Sequence, residues 1–315
     1  IDVVVLDAEA LGHGASSRNG GMVSGGVNVG KHVNLDPAQE QAMLGEASLS
    51  YSWFEDFITS EAIDADYQRT GRFVGAHCAK AWDMLAGRIS SLNESADSGA
   101  RMVPPEQTRE EIGSDFYHGG MVVERAGAVH AGKLHAGVLQ VAQRAGVKLF
   151  GKVRAGAISR HGGGLHLDTS RGVIAAEKII IATNGYTGSQ SPWHQRRVVP
   201  IASYQVATQE LGEAVVSKLF PRHRMIADTM KLLHYFRPSP DRKRVLFGGR
   251  ARYLRHDPVA GAAHLRRKLV GVFPELAEVK LSHGWWGYVA YLNDGVPSLG
   301  ESQPDTLPGV YHALG

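Results

Sequence analysis

The chain has 315 residues, of which 43% are hydrophobic, and this is enough apolar material for one large domain or two interleaved domains. The formal net charge is only +3, which favours solvated surface charge for the basic clusters, although an acidic partner stays an alternative. The single cysteine, Cys78, excludes an internal disulfide and a C-x-x-C pair, and no apolar run approaches the ~18 residues of a membrane span. We therefore expect a cytoplasmic protein without membrane span, metal site or nucleic-acid partner.

The chain begins with an apolar run, residues 3–6, that stops at an acid, Asp7. In βαβ nucleotide-binding folds an acid at this place accepts hydrogen bonds from the ribose hydroxyls, and a Gly-rich turn about 20 residues earlier holds the pyrophosphate. The first strand and that turn would lie before Ile1. The pattern predicts the second strand of a dinucleotide-binding unit, and an ordinary buried parallel strand that ends in an acid is the alternative.

A loop of small residues follows, and it contains one cation and one amide: Gly12, Gly14, Ala15, Ser16, Ser17, Arg18, Asn19, Gly20 and Gly21. Glycines let the backbone approach a ligand closely, so this loop is predicted to wrap one. After it, Asp36-Pro37-Ala38-Gln39 is typical of a helix start, and we expect one long helix over residues 36–60.

Further elements are predicted in chain order. We expect a strand pair or one bent strand over residues 66–77, a helix over 79–97 that Gly87 weakens, a strand over 117–124, a helix over 134–145 that ends at Gly146, a strand over 147–150, a hairpin of 153–159 with 165–169, and an apolar strand over 178–182. This order predicts two domains threaded through each other. A nucleotide domain would take residues 1–65, 126–197 and 281–315, and a substrate domain would take 66–125 and 198–280.

Five motifs together carry a family resemblance: GASSRNGG after the acid-ending strand, ATNGY at 182–186, PIASYQVAT at 200–208, RVLFGGR at 244–250 and GWWGYVAYLNDGVPSLG at 284–300. In this order and spacing, the chain resembles the FAD-dependent oxidoreductases of the D-amino-acid oxidase/glycine oxidase (DAO) superfamily, and most closely its γ-glutamylputrescine oxidoreductase-like members. The resemblance implies an α/β fold in which an FAD-binding, Rossmann-like (glutathione-reductase-type) domain is interleaved with a mainly antiparallel α+β substrate domain. It also implies that the chain is truncated at both ends, because a flavin-closing segment would follow Gly315.

The resemblance implies positions for the FAD contacts. Asp7 would bind the ribose, the backbone of Val153 would face the adenine, and Thr183, Asn184 and Gly185 would lie near the dinucleotide, where a simple turn is the alternative for the last two. The flavin side would be lined by Ser17, Arg18, Asn19, Gly20 and Gly21. Arg18 would place a positive charge near the reduced flavin, or else form a surface ion pair. Because Cys78 falls in the predicted substrate domain, we expect non-covalent FAD.

The substrate side is predicted from aromatic and polar residues, each of which has ordinary core packing as its alternative: Tyr204, His234, Tyr235, Arg237, Trp285, Trp286, Tyr288 and Tyr291. Glycine-oxidase-like members carry an arginine that clamps the substrate carboxylate, and here the corresponding stretch contains Val289. This difference favours an amine or polyamine derivative over an α-amino acid, unless Arg237 or Arg250 supplies the charge.

The predicted function is oxidation of a C–N bond to an imine by hydride transfer to flavin, with oxygen or another acceptor reoxidising the flavin. The substrate would be a small amine or an amino-acid-like molecule, and no catalytic residue is assigned. A flavin dehydrogenase of a hydroxylated substrate, such as a glycerol phosphate, is one alternative. The other is a non-catalytic nucleotide-binding Rossmann module.

Overall fold

The computed structural model describes residues 2–26, 28–29, 35–250, 257–303 and 305–315, with the side chain of Arg250 outside that description. In these ranges the strands are β1 Val4–Leu6, β2 Met22–Ser24, β3 Arg72–Gly75, β4 Ala100–Val103, β5 Gly120–Val123, β6 Ala126–Ala128, β7 Lys148–Phe150, β8 Ala155–His161, β9 Gly164–Thr169, β10 Gly172–Ala176, β11 Ile179–Ile181, β12 Val198–Thr208, β13 Met225–Asp228, β14 His234–Pro238, β15 Val245–Arg250, β16 Leu281–Leu292, β17 Ser298–Glu301 and β18 Val310–Leu314.

The helices in the same ranges are α1 Ala15–Arg18, α2 Pro37–Ser60, α3 Ala79–Ala86, α4 Ile89–Ala96, α5 Thr108–Glu111, α6 Ala131–Arg144, α7 Pro192–Gln195, α8 Glu213–Leu219 and α9 Pro258–Val272. Short 3-10 turns cover Pro105–Gln107, Asn184–Tyr186 and Pro274–Leu276. The chain divides into two compact units. The first comprises Ile1–Ser17, His135–Ala202 and Gly287–Gly315, and the second comprises Arg18–Leu134 and Ser203–Trp286.

The first unit contains parallel strand pairs. β1 pairs in parallel with β7, and β11 pairs in parallel with β18, which continues antiparallel to β17. Strands β8, β9 and β10 form a separate antiparallel sheet, and a small core of Leu165, Ile181 and Val310 is buried in this unit. The predicted apolar strand at residues 178–182 is present as β11, although Ile180 is 70% exposed and the strand is not covered on both faces in this unit. The carboxyl ends of parallel strands carry Asp7 and Thr183, which is where ligands bind in open α/β sheets.

The second unit is built on an eight-stranded sheet with the strand order β16-β12-β15-β14-β13-β3-β5-β4. Its described pairs are antiparallel except for β13 with β3. Side chains alternate between the two faces of each strand. On β14, Tyr235 and Arg237 therefore share one face, while His234 and Phe236 share the other.

The long helix α2 begins as predicted. The Asp36 carboxylate accepts the Gln39 N–H at 2.9 Å, and the Gln39 side-chain oxygen accepts the Asp36 N–H at 3.3 Å. This reciprocal pair is a capping box, with Pro37 at the first helical position. Leu44 of α2 is fully buried in one hydrophobic cluster with Leu92 of α4. The helix consequently packs within the second unit.

That packing makes the compact units differ from the predicted domains, because residues 18–65 belong with the second unit rather than with the predicted nucleotide domain. The assignment of FAD to one domain and of the substrate to the other stays a prediction. The prediction of one helix over residues 79–97 is wrong, since α3 ends at Ala86 and α4 begins at Ile89. Gly87 has low helix propensity, and the Arg88 guanidinium donates to the Val29 carbonyl at 2.6 Å, so a tertiary bond favours the interruption.

Candidate functional site

Asp7 and Val153 lie next to each other at the carboxyl end of β1. The Val153 N–H donates to the Asp7 carbonyl oxygen at 2.9 Å, and the Asp7 N–H donates to the Phe150 carbonyl oxygen at 2.9 Å. The Asp7 carboxylate is half-buried, and its Oδ1 accepts the Glu9 N–H at 2.9 Å. Among the described residues, no hydrogen-bond partner lies at its Oδ2. The acid therefore has one carboxylate oxygen held in place and one available to a hydroxyl donor.

The turn that precedes α1 needs a glycine at Gly12. Its φ is 79°, and a Cβ there would lie 2.4 Å from the His135 ring. The Ser17 hydroxyl of α1 donates to the Gly12 carbonyl, which closes the turn onto the helix. Ser17 is thus a structural partner of the loop in the first unit, and its predicted flavin contact stays a prediction.

Thr183, Asn184 and Gly185 follow β11, and the structure connects them to β18 and β16 inside the first unit. Asn184 has a left-handed φ of 46°, and its Oδ1 accepts the Gly315 N–H at 3.2 Å. A Cβ on Gly185 would lie 2.8 Å from the Tyr288 Cβ, so only glycine fits beside that strand. The predicted residues Asn184, Gly185 and Tyr288 are therefore brought together.

Tyr186 connects these elements, although sequence reasoning did not single it out as a site residue. Its hydroxyl accepts the Tyr288 N–H at 3.2 Å, and the two rings meet edge to face with centroids 5.4 Å apart. A Cβ on Gly14 would lie 3.3 Å from the Tyr186 ring. Its position as the aromatic residue directly after the Asn-Gly pair is the sequence signal by which it could have been found.

In the second unit, residues 18–21 are held by several hydrogen bonds. The Trp285 indole N–H donates to the Arg18 carbonyl at 2.9 Å, and the Val129 N–H donates to the Gly21 carbonyl at 2.8 Å. The Asn19 Oδ1 accepts the Gly21 N–H at 2.8 Å. The backbone of this segment is consequently held at both of its ends, at the Arg18 carbonyl and at the carbonyl and N–H of Gly21.

Arg237 contacts the same segment from β14. Its Nε donates to the Gly20 carbonyl at 2.9 Å, its Nη2 to the Val129 carbonyl at 2.7 Å, and its Nη1 to the Pro238 carbonyl at 3.4 Å. Burial lowers the pKa of the Arg237 guanidinium to about 10, so it stays charged at neutral pH. The side chain is 6% exposed, and among the described residues no carboxylate lies within ion-pair distance of it. The guanidinium therefore links the backbone at Gly20, Val129 and Pro238.

The side chains of Tyr235 and Gln205 pack against Gly20. A Cβ on Gly20 would lie 2.9 Å from the Gln205 Nε2 and 3.1 Å from the Tyr235 ring, and the Tyr235 hydroxyl lies 2.8 Å from the Ser203 Oγ. Gln205 was missed by sequence reasoning, which singled out aromatic and charged side chains. Trp286 is half-buried on β16 and points to the opposite side of the strand from Trp285. Tyr291, further along β16 in the first unit, is also half-buried.

Two other substrate candidates lie on the opposite face of the sheet from Tyr235 and Arg237. Tyr204 is 3% exposed, and its hydroxyl accepts the N–H of Asp257, the residue that caps α9. The His234 Nδ1 lies 2.9 Å from the Asp228 carboxylate, and the His234 ring lies 5.5 Å from that of Phe247. Both side chains have core contacts in the structure, and their role toward substrate stays a prediction.

The described residues fit the chemical needs of FAD. In the first unit, Asp7 offers a carboxylate oxygen at the end of a parallel strand, and glycine is required by space at Gly12 and Gly185. Cys78 precedes α3 in the second unit and packs against a hydrophobic cluster, which supports non-covalent binding. Within the described ranges no group of three or more His, Cys, Asp or Glu side chains is arranged for a metal ion. In the same ranges none of the helices combines the length and the apolar character that crossing a lipid bilayer requires.

Comparisons with known proteins agree with this geometry. The family model described as "DAO: FAD dependent oxidoreductase" matches residues 1–315. The chain is 30% identical over 322 residues to the probable oxidoreductase OrdL of Rhizobium meliloti (strain 1021), covering 100% of this chain and 74% of that protein. It is 28% identical over 315 residues to the gamma-glutamylputrescine oxidoreductase of Escherichia coli (strain K12), covering 95% of this chain and 70% of that protein.

Among solved structures, the glycine oxidase from Geobacillus kaustophilus superposes with a TM-score of 0.80 at 20% identity, covering 100% of this chain and 82% of that one. This likeness shows the fold. The mixed α/β fold with a large sheet and the use of FAD are confirmed as predicted. The chain belongs to the DAO family of FAD-dependent oxidoreductases.

Proposed function

We propose that the chain oxidises the C–N bond of an amine to an imine, and that its substrates are amines or polyamine conjugates rather than α-amino acids. The supporting observation is Val289 on β16, in the stretch where glycine-oxidase-like members carry the arginine that binds the substrate carboxylate. Val289 is 41% exposed, whereas its neighbour Ala290 is buried. Position 289 therefore carries no positive charge, although its exposure leaves space for an arginine side chain.

The other cation considered for this role is otherwise engaged. Arg237 donates to backbone carbonyls through all three of its nitrogen atoms. The side chain of Arg250 lies outside the described residues. The similarity to a gamma-glutamylputrescine oxidoreductase, whose name is that of an amine conjugate, agrees with a substrate that presents an amine without a neighbouring carboxylate.

The chain's own groups have three tasks in this reaction. They hold the carbon that donates the hydride, exclude water and keep the amine neutral. FAD, when bound, supplies the acceptor for the hydride and its two electrons. Tyr235 in the second unit and, separately, Tyr288 in the first unit are candidates for the first two tasks. The Tyr235 hydroxyl is oriented by Ser203 and the Tyr288 backbone by Tyr186.

The test is a substrate panel with the full chain and FAD. Primary diamines and N-acylated diamines are compared with glycine, D-alanine and glycerol 3-phosphate. Peroxide release in air reports oxygen as acceptor, and dye reduction without oxygen reports another acceptor. We expect kcat/KM for the amines to exceed that for the amino acids by at least about tenfold, since a lost bidentate carboxylate contact is worth roughly 1.5–3 kcal/mol.

Val289→Arg is the informative variant, because the exposed position accepts a long side chain. We expect it to raise kcat/KM for glycine while amine turnover falls or stays unchanged. Val289→Leu, which changes size without adding charge, is the control. A wild-type preference for α-amino acids would overturn the proposal, and a preference for glycerol 3-phosphate would favour the hydroxylated-substrate alternative.

A further inference from the structure

We propose that Arg237 is a positioning residue that fixes the backbone of residues 18–21 for FAD, and that it is not a ligand of the substrate. This inference rests on the proposed function, because it takes residues 18–21 as part of the flavin site. Its starting point is a contrast between two buried arginines of the second unit, Arg237 and Arg224.

Arg224 is neutralised by carboxylates. Its Nε lies 2.7 Å from Glu111, and its two Nη atoms lie 2.7 and 2.8 Å from the oxygens of Glu124. It is 8% exposed, close to the 6% of Arg237. Arg224 also donates to the Thr70 carbonyl at 2.9 Å, but two carboxylates neutralise its charge, whereas Arg237 is bonded to peptide oxygens and, among the described residues, to no carboxylate. An ion pair stabilises charge, whereas a guanidinium on carbonyl oxygens selects a backbone conformation.

The planar guanidinium lets Arg237 join two separate pieces of chain. Its Nε and Nη2 donate to carbonyls from two different segments, Gly20 at 2.9 Å and Val129 at 2.7 Å. The Val129 N–H in turn donates to the Gly21 carbonyl at 2.8 Å. Residues 20 and 21 are consequently tied to Val129, the residue after β6, through its N–H directly and through its carbonyl by way of Arg237. A lysine ammonium has no fixed fork and does not reproduce this pair of bonds.

Peptide planarity converts these bonds into an orientation of donors. In a trans peptide, the carbonyl and the following N–H point in opposite directions. With the Gly20 carbonyl directed at Arg237, the Gly21 N–H points the other way, toward the Asn19 Oδ1 at 2.8 Å. With the Arg18 carbonyl held by Trp285, the Asn19 N–H is likewise directed away from Trp285. Arg237 and Trp285 therefore determine together how residues 18–21 present their polar groups.

The substrate-ligand alternative makes a different use of Arg237. A guanidinium that clamps a substrate carboxylate needs two parallel N–H donors free of protein acceptors. In Arg237, the Nε and one Nη are already engaged by short bonds to carbonyls. Recognition of a carboxylate would break these bonds and leave buried carbonyl oxygens unpaired, which is costly.

The test compares Arg237→Lys and Arg237→Gln with Arg224→Lys in the full chain. The first reporters are the amides of Gly21 and Val129 in hydrogen exchange, measured with and without FAD. We expect both Arg237 variants to speed exchange at these two amides by roughly tenfold or more while distant core amides keep their protection. Arg224→Lys should instead lower the denaturation midpoint and raise exchange throughout the second unit.

The second reporter is the FAD dissociation constant from flavin fluorescence. We expect it to rise roughly tenfold in both Arg237 variants and to stay within about twofold in Arg224→Lys. The KM for amines at saturating FAD should stay within about threefold. If Arg237→Lys binds FAD like the wild type, charge alone suffices and the inference is wrong. If the Arg237 variants raise KM for carboxylate-bearing substrates while exchange is unchanged, the substrate-ligand alternative is correct.

Arg237→Gln keeps the inference testable if Arg237→Lys does not fold. A failure of the proposed function would be seen differently: the wild-type chain would hold FAD but oxidise no amine. The exchange and FAD measurements still test Arg237 in that case.

Discussion

The ring of Tyr235 occupies the space next to Gly20 that a side chain would need, since a Cβ on Gly20 would lie 3.1 Å from the ring. The same ring also lies against Gly248, where an added Cβ would be 2.3 Å from it. The Tyr235 ring thus occupies space beside two glycines, Gly20 and Gly248. The Tyr235 hydroxyl bonds Ser203, which removes the remaining freedom.

We predict that Gly20→Ala moves residues 18–21, costs roughly 1–3 kcal/mol of stability through overpacking, and weakens FAD binding at least tenfold. Gly45→Ala on α2 is the matched control, because nothing lies within 4 Å of its added Cβ. That control should gain about 0.5–1 kcal/mol from helix propensity and keep its FAD affinity. Urea denaturation and flavin titration measure both effects. Equal FAD affinity in the two variants would show that Gly20 is not part of the flavin site.

A second prediction concerns Asp7. Asp7→Asn keeps the Oδ1 acceptor for the Glu9 N–H but removes the charge from the group that is predicted to bind the ribose. A charge-assisted hydrogen bond is worth roughly 1.5–3 kcal/mol, so we expect FAD affinity to fall about 10- to 150-fold with little change in the unfolding midpoint. Asp2→Asn is the control, since Asp2 lies before the same strand in an exposed ion pair with Lys148 at 3.1 Å. If both variants bind FAD equally, Asp7 does not contact the cofactor.

A third prediction concerns a buried chain of hydroxyls and imidazoles in the first unit. The His194 Nδ1 lies 2.6 Å from the Ser191 Oγ and its Nε2 lies 2.8 Å from the Ser302 Oγ, which also lies 3.0 Å from the His312 Nδ1. Burial, helped by the charges of His312 and Arg197, lowers the pKa of His194 to about 4, and burial lowers the pKa of His312 as well.

The unfolded chain therefore binds more protons than the folded chain between about pH 6.5 and pH 4, so the free energy of unfolding should fall as the pH is lowered through this window and then level off. His194→Asn should flatten this dependence, and His77→Asn, a change at an exposed histidine, should leave it unchanged. Urea denaturation at pH 7, 6, 5 and 4 is the measurement. An equal slope in wild type and His194→Asn would show that His194 does not carry the effect.

Local features of the fold followed from the sequence. The start of α2 was predicted from Asp36, Pro37 and Gln39, because a capping box is made by groups within four residues of one another. The end of α6 was predicted from Gly146, which has a left-handed φ of 84°. These signals need no partner elsewhere in the chain. The interruption at Gly87 shows the limit, since it also involves the bond from Arg88 to Val29.

The candidate site was predictable as a set of motifs but not as a set of contacts. Tyr235 and Arg237 lie on the face of β14 that contacts Gly20, whereas His234 lies on the other face beside Phe247. Adjacent residues of one strand alternate between faces, and only strand pairing decides which face is the core. Gln205 was missed for the same reason, because its place beside Gly20 depends on the β12 pairing.

The sequence by itself determined the family, the cofactor and the start of α2, because these depend on motif order and on groups close together in the chain. Only the tertiary structure decided what Arg237 does. A buried guanidinium has the same sequence signal whether it meets a carboxylate, a substrate or a peptide oxygen. Its partners here, the carbonyls of Gly20 and Val129, come from segments more than 100 residues away. Packing of the sheet brings those carbonyls to it, and the cost of an unpaired buried cation keeps them there.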